Sequence, residues 1–167
     1  RMNTSIADNC LFMVGSHVAH DCGISNNVIL TNNVALGGHV VIGEYAIIGG
    51  LSGVHQYVRI GKHAMIGGCS GVENDVIPYG SVKGNRARLN GLNVVGLRRR
   101  GFSREDIRSL RTAYGLLFSQ DGNLSQKISE VSDLFPGHPG VEDIIKFIRV
   151  GSARGFCQPP SVNGNGI

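Results

Sequence analysis

His17, His20 and Asp21 fall within five residues, and His39 follows 18 residues after Asp21. An imidazole beside a carboxylate is what a general base requires, because the carboxylate orients the ring and stabilises its charged form. The same donors could ligate a metal, with His17 and His20 as one pair and His39 as a third ligand. A second chemical feature is charge. Between Ser81 and Arg104 lie seven basic residues and no acidic one. Residues 1–80 hold 3 basic and 5 acidic residues, whereas 81–167 hold 13 and 7, so the net +4 divides into −2 and +6. The second half therefore suits an anionic partner or carries a solvated basic face. Cys10, Cys22, Cys69 and Cys157 form no C-x-x-C pair, which fits a reducing compartment, and Cys22 and Cys69 are expected as packing residues.

What positions these groups is a repeat. From Ile6, every sixth residue through Phe12, Val18, Ile24, Leu30, Leu36, Ile42, Ile48, Val54, Ile60, Ile66 and Val72 is aliphatic or Phe. That period fits neither a helix nor a long strand. It predicts short strands joined by tight corners, three to a triangular coil of 18 residues, with coils stacked at about 4.8 Å. Glycine, 25 of 167 residues, is expected at the corners because it tolerates positive φ. Residues 18 apart share a column, so His20 stacks with Gly38 and Gln56, and Asp21 with His39 and Tyr57. None of these lies on the inward ladder, and His17, His20 and His39 are expected to converge on one outer edge. The first coil carries no polar cap, so further coils or a docking surface are expected against it.

The predicted organisation is a solenoid over 1–80, a basic loop or last irregular coil over 81–101, three helices within 102–155, and a loose tail over 156–167. Ser103 with Glu105 and Asp106 starts the first helix. The second is predicted over 124–134, ended by Pro136-Gly-His-Pro139, and the third over 141–150. No apolar run reaches the roughly 20 residues of a membrane span. A hydrophobic share of 41% excludes intrinsic disorder.

The hexapeptide pattern resembles the left-handed parallel β-helix. Within that fold, the tracts His17-Val-Ala-His20-Asp21-Cys22, Gly37-Gly38-His39-Val40, Val54-His55-Gln56, Gly67-Gly68-Cys69-Ser70-Gly71 and Gly96-Leu-Arg-Arg-Arg-Gly101-Phe-Ser resemble the UDP-N-acetylglucosamine O-acyltransferases of lipid A synthesis in Gram-negative bacteria. The resemblance implies transfer of an (R)-3-hydroxyacyl group from acyl carrier protein to the 3-hydroxyl of UDP-GlcNAc, in a cytoplasmic homotrimer with sites between subunits. It implies His20 as general base, Asp21 as its orienting carboxylate and Gly38 as the backbone oxyanion donor. His17, His39, His55 and Gln56 would line the cleft, Asn93, Arg99 and Arg100 would bind the UDP portion, and Gly68 would form the floor under the acyl chain. The carrier's phosphopantetheine thioester is then a substrate, and no cofactor is required.

Two departures stand out. Val95 and Arg86 replace a carboxylate and a histidine found in some members. Family members also begin several coils earlier, which makes residues 1–80 the later coils. Zinc carbonic anhydrases built on the same coil use a His pair five residues apart; successive spacings here are 3, 19, 16, 8 and 75, so no metal is expected. Nucleic acid is disfavoured as a partner because no aromatic interleaves the basic stretch before Phe102. The alternatives are the UDP-3-O-acyl-glucosamine N-acyltransferase of the same pathway and a non-catalytic, trimerising segment.

Overall fold

The structure, a computed structural model, describes residues 3–120 and 122–160. Two-residue strands recur every six residues from β1 (Ser5–Ile6) to β12 (Gly71–Val72). Each pairs in parallel with the strand 18 residues on, as in Ser5↔Gly23 and His17↔Ala35. Three flat faces result: β1-β4-β7-β10, β2-β5-β8-β11 and β3-β6-β9-β12. They are called faces A, B and C here. The second residue of each strand points inward, and Ile24, Leu30, Leu36, Ile42, Ile48, Ile60 and Ile66 are almost fully buried. In the first coil the ladder is open, with Ile6 50% exposed, because among the described residues no coil lies on that side.

The corners depart from the expectation about glycine. Among coil residues with positive φ, Gly15 is accompanied by Asn9, Asp21, Asn27, Asn33, His39, Tyr45, Leu51, Tyr57, His63 and Cys69. These residues stand six apart, one per corner, and from Asn27 on each donates its backbone N–H to a carbonyl of the preceding coil, as His39 does to His20 at 3.0 Å. Several coil glycines serve a different need. A Cβ at Gly43 would lie 2.4 Å from the Lys62 nitrogen, and one at Gly49 2.4 Å from that of Gly68. They are glycine because the next coil passes too close for a side chain. Cys22 is buried as expected, but Cys69 occupies an exposed corner and is no packing residue.

Residues 81–101 begin as a last irregular coil and then leave the solenoid as a hairpin and a helix. Gly80–Lys83 (β13) continues face B beside β11, and Arg88–Leu92 (β14) pairs antiparallel with β13. Helix α1 (Val94–Arg99) follows, its first turn capped by the Asn93 side chain. The unbroken aliphatic period hid this hairpin, because it stops at Val72 while the sheet does not. Helix α2 (Arg104–Leu117) begins at a Ser103–Asp106 capping box, and α3 (Leu124–Leu134) at one formed by Asn123 and Gln126. Helix α4 (Pro139–Arg149) starts two residues before the predicted 141, since Pro139 suits the first helical turn where its missing N–H costs nothing. The tail is also tied down as far as it is described. Cys157 is buried and its N–H donates to the Asp75 carbonyl, while Leu89 donates to that of Gln158. Residues 161–167 of the expected loose tail lie outside the described residues.

Helices and solenoid are joined by polar contacts over an apolar seam. Asp75, 1% exposed, accepts from the Arg59 backbone and guanidinium at 2.7 Å, and Arg59 lies over the Phe147 ring of α4. Asp143 of α4 meets Lys62 and accepts from the Tyr79 hydroxyl at 2.6 Å.

Candidate active site

The corner between faces C and A carries the histidine–carboxylate group. Strand β3 (His17–Val18) ends two residues before His20, and the turn His20-Asp21 leads into β4 (Gly23–Ile24). Asp21 adopts φ 59°, which turns its side chain back onto its neighbour. Its Oδ2 lies 2.8 Å from His20 Nδ1. With the carboxylate ionised, Nδ1 must be the donor, so the neutral ring keeps its lone pair on Nε2. The hydrogen bond from His20 holds the Asp21 carboxyl below the usual carboxylate range, assisted by His39.

One coil on, Gly38 lies beneath the His20 ring. A Cβ there would stand 2.6 Å from both Cε1 and Nε2. Only a residue without a side chain lets the imidazole lie flat over this corner. The Gly38 N–H has no acceptor among the described residues. Next to it, His39 places Nε2 3.8 Å from Asp21 Oδ2, its ring perpendicular to that of His20 with centroids 5.1 Å apart. Tyr57, a further coil on, stacks on His39 at 4.6 Å with planes 4° apart. The 18-residue column 21–39–57 contained this stack, but only the side-chain geometry gives Tyr57 a function as the platform for His39.

Other expected site residues distribute differently. Gln56 shares the corner column with His20 and Gly38. His55 stands beside it, exposed, its Nδ1 3.2 Å from the Gln56 carbonyl. His17 does not converge on the cluster. It is exposed on face C, where its register partner is Ala35, because a strand residue projects from the face and not toward the corner. Outward positions of face C continue as Ala35, Gly53 and Gly71, leaving a low surface that runs from the His20 corner to the Gly68 corner. A Cβ at Gly53 would meet nothing within 4 Å, and one at Gly68 would meet the Gly50 carbonyl at 3.2 Å.

Asn93, Arg99 and Arg100 belong to another corner, between faces A and B. Asn93 is buried, donates to the His63 carbonyl at 2.9 Å and caps α1. Arg100 donates to the Tyr45 carbonyl at 3.0 Å and lies over that ring. Arg99 is exposed on α1, without an ion-pair partner among the described residues. Within one chain these three are not brought to His20. Val95 is 60% exposed on the same helix, and Arg86 is exposed in the hairpin turn.

A family model described as UDP N-acetylglucosamine O-acyltransferase, domain 2, matches residues 75–157. The acyl-[acyl-carrier-protein]–UDP-N-acetylglucosamine O-acyltransferase of Methylobacterium radiotolerans is 53% identical over 161 residues, covering 96% of this chain and 59% of that protein. The solved UDP-N-acetylglucosamine O-acyltransferase of Moraxella catarrhalis superposes with a TM-score of 0.89 at 39% identity, over 93% of this chain and 60% of that one. The UDP-N-acetylglucosamine acyltransferase of Campylobacter jejuni does so with 0.82 at 30% identity, over 93% and 70%. The chain belongs to the UDP-N-acetylglucosamine O-acyltransferase family. Its solenoid is that family's left-handed parallel β-helix, followed by the family's helical part. The chain spans about three-fifths of the length of the curated relatives it matches. No helix among the described residues is long and apolar enough to cross a membrane.

Proposed function

We propose that the chain carries the catalytic corner of an enzyme that moves an (R)-3-hydroxyacyl group from acyl carrier protein to the 3-hydroxyl of UDP-GlcNAc. The observation that carries this reading is the His20–Asp21 pair at 2.8 Å with its ring laid over Gly38. A sugar hydroxyl is a weak nucleophile at neutral pH, so His20 Nε2 takes its proton as the oxygen attacks the thioester carbonyl carbon. Asp21 stabilises the imidazolium formed. The tetrahedral oxyanion is met by the Gly38 N–H, a donor typically worth about 3–4 kcal/mol when fixed in place. Collapse breaks the carbon–sulfur bond, and the proton on His20 passes to the departing phosphopantetheine thiolate. No covalent acyl-enzyme forms, and buried Cys22, its thiol pushed up by desolvation, takes no part.

In this reading, the low surface of face C receives the acyl chain, with Gly68 as its floor. His17, His39, His55 and Gln56 line the cleft. Asn93, Arg99 and Arg100 address the UDP portion, for which guanidinium groups suit the diphosphate. Because those three occupy another corner than His20, a site using both sets takes them from two copies, which supports the homotrimer. The names of the relatives favour the O-acyltransferase over the N-acyltransferase.

The test incubates this chain with acyl carrier protein loaded with 3-hydroxyacyl chains and UDP-GlcNAc, and follows acylated sugar nucleotide by mass spectrometry. The product is expected, and His20→Ala should slow its formation by about 100-fold or more. Activity of that variant within about tenfold of wild type would overturn the base assignment. Acylation of UDP-3-O-acyl-glucosamine in place of UDP-GlcNAc would transfer the reading to the N-acyltransferase.

A further inference from the structure

The corner that holds His20 also assembles a ligand set for a transition-metal ion. One nitrogen of His20, one of His39 and one carboxylate oxygen of Asp21 lie within 4.8 Å of one another. Asp21 Oδ2 is 2.8 Å from His20 Nδ1 and 3.8 Å from His39 Nε2. Donors bound to one Zn²⁺ at about 2.0–2.1 Å stand roughly 3.3 Å apart in a tetrahedron, so ring rotations that change the donor separations by about 1.5 Å or less bring the three into range. We propose that His20, Asp21 and His39 capture Zn²⁺, leaving its fourth position open, and that the captured ion switches the base off.

Two further observations support capture. Asp21 and His39 come from consecutive coils at equivalent corner positions, with φ 59° and 62°, and His20 directly precedes Asp21, so the backbone already presents the three together. The His39 ring is clamped by Tyr57 at 4.6 Å, which lowers the ordering cost of binding. An imidazole–carboxylate set favours Zn²⁺ over Mg²⁺, which prefers oxygen donors in an octahedron. The His20 side chain is 72% exposed, giving the ion a path of entry.

The consequence for chemistry follows from the tautomer. Neutral His20 carries one proton, on Nδ1, donated to Asp21. When Zn²⁺ takes Nδ1, that proton moves to Nε2, and the nitrogen that should accept the sugar proton becomes a donor. No proton is gained or lost by the neutral ring, and no bond to substrate is involved. The binding claim rests on geometry alone; the loss of transfer rests on the reaction proposed above.

Titration calorimetry with Zn²⁺ alone, without substrates, tests the site. The protein carries Cys69→Ser, since that exposed thiol at a different corner is a competing soft ligand. One saturable site is expected, absent with Mg²⁺ and weakened at least tenfold by Asp21→Asn and by His39→Asn. Asparagine is chosen because Asn9, Asn27 and Asn33 already occupy the equivalent corner conformation in this chain. No saturable site, or one unmoved by both substitutions, overturns the proposal. Transfer assayed in parallel should fall with Zn²⁺ and return with a chelator. Binding without loss of transfer would overturn the tautomer step alone, and absence of transfer without any metal would count against the proposed reaction and leave the calorimetric result standing.

Discussion

Gly38 shows how much of this site depends on what a residue lacks. Its nearest potential clash is the His20 ring, a side chain that can swing away, and no backbone atom. Gly38→Ala should therefore fold normally while tilting the imidazole from its line with Asp21. Displacement of a reacting group by about 1 Å can cost up to about 100-fold in rate. The expected outcome is a kcat reduced about 10–100-fold with an unchanged thermal midpoint; retention of full kcat would show that the ring position is not critical.

Among the elements, the coil glycines divide into two groups that the sequence does not distinguish. At Gly49 a Cβ would lie 2.4 Å from the Gly68 nitrogen and 2.7 Å from the Ile66 carbonyl, both rigid backbone. Gly49→Ala is expected to destabilise by about 1–3 kcal/mol in denaturant titrations. Gly53→Ala should cost nothing, since its Cβ enters open space, and a gain of up to about 1 kcal/mol is expected from the less flexible unfolded chain. The stack Tyr45–His63–Tyr79 at the next corner makes a separate prediction. Burial first, then the charges of Arg100 and Lys62, lowers the His63 pKa from 6.5 to about 4. As pH falls the unfolded chain takes up this proton before the folded one, so stability is full above about 6.5, declines toward about 4 and levels below it. The loss amounts to about 1–3 kcal/mol. In thermal melts at stepped pH, His63→Phe, which keeps the stack, should remove that slope; an identical slope in the variant would assign it to another group.

For the whole molecule, the decisive fact is that His20 and Arg99 occupy different corners of one prism. If the working site joins corners of two copies, mixing His20→Ala protein with Arg99→Ala protein should restore transfer that neither shows alone, because some mixed interfaces pair an intact His20 with an intact Arg99. Activity of the mixture no greater than the sum of its parts would confine both groups to one chain.

The hexad period alone determined the solenoid, its coil length and its columns, because an inward aliphatic at every sixth residue leaves the chain no other way to bury them. The columns also named His20, Asp21, Gly38 and His39 as neighbours, a capping residue located the start of α2, and apolar spacing located α3. What the tertiary structure decided lies where spacing says nothing about direction or distance. His17 leaves the cluster because it projects from a face. The coil glycines answer close approach of the next coil more often than positive φ. The 81–101 stretch becomes a hairpin and helix because its groups bond to β11 and to Asn93. Tyr57 becomes a platform only when two rings from successive coils are seen to lie parallel. The sequence could list these residues in columns; only packing shows which of their side chains meet.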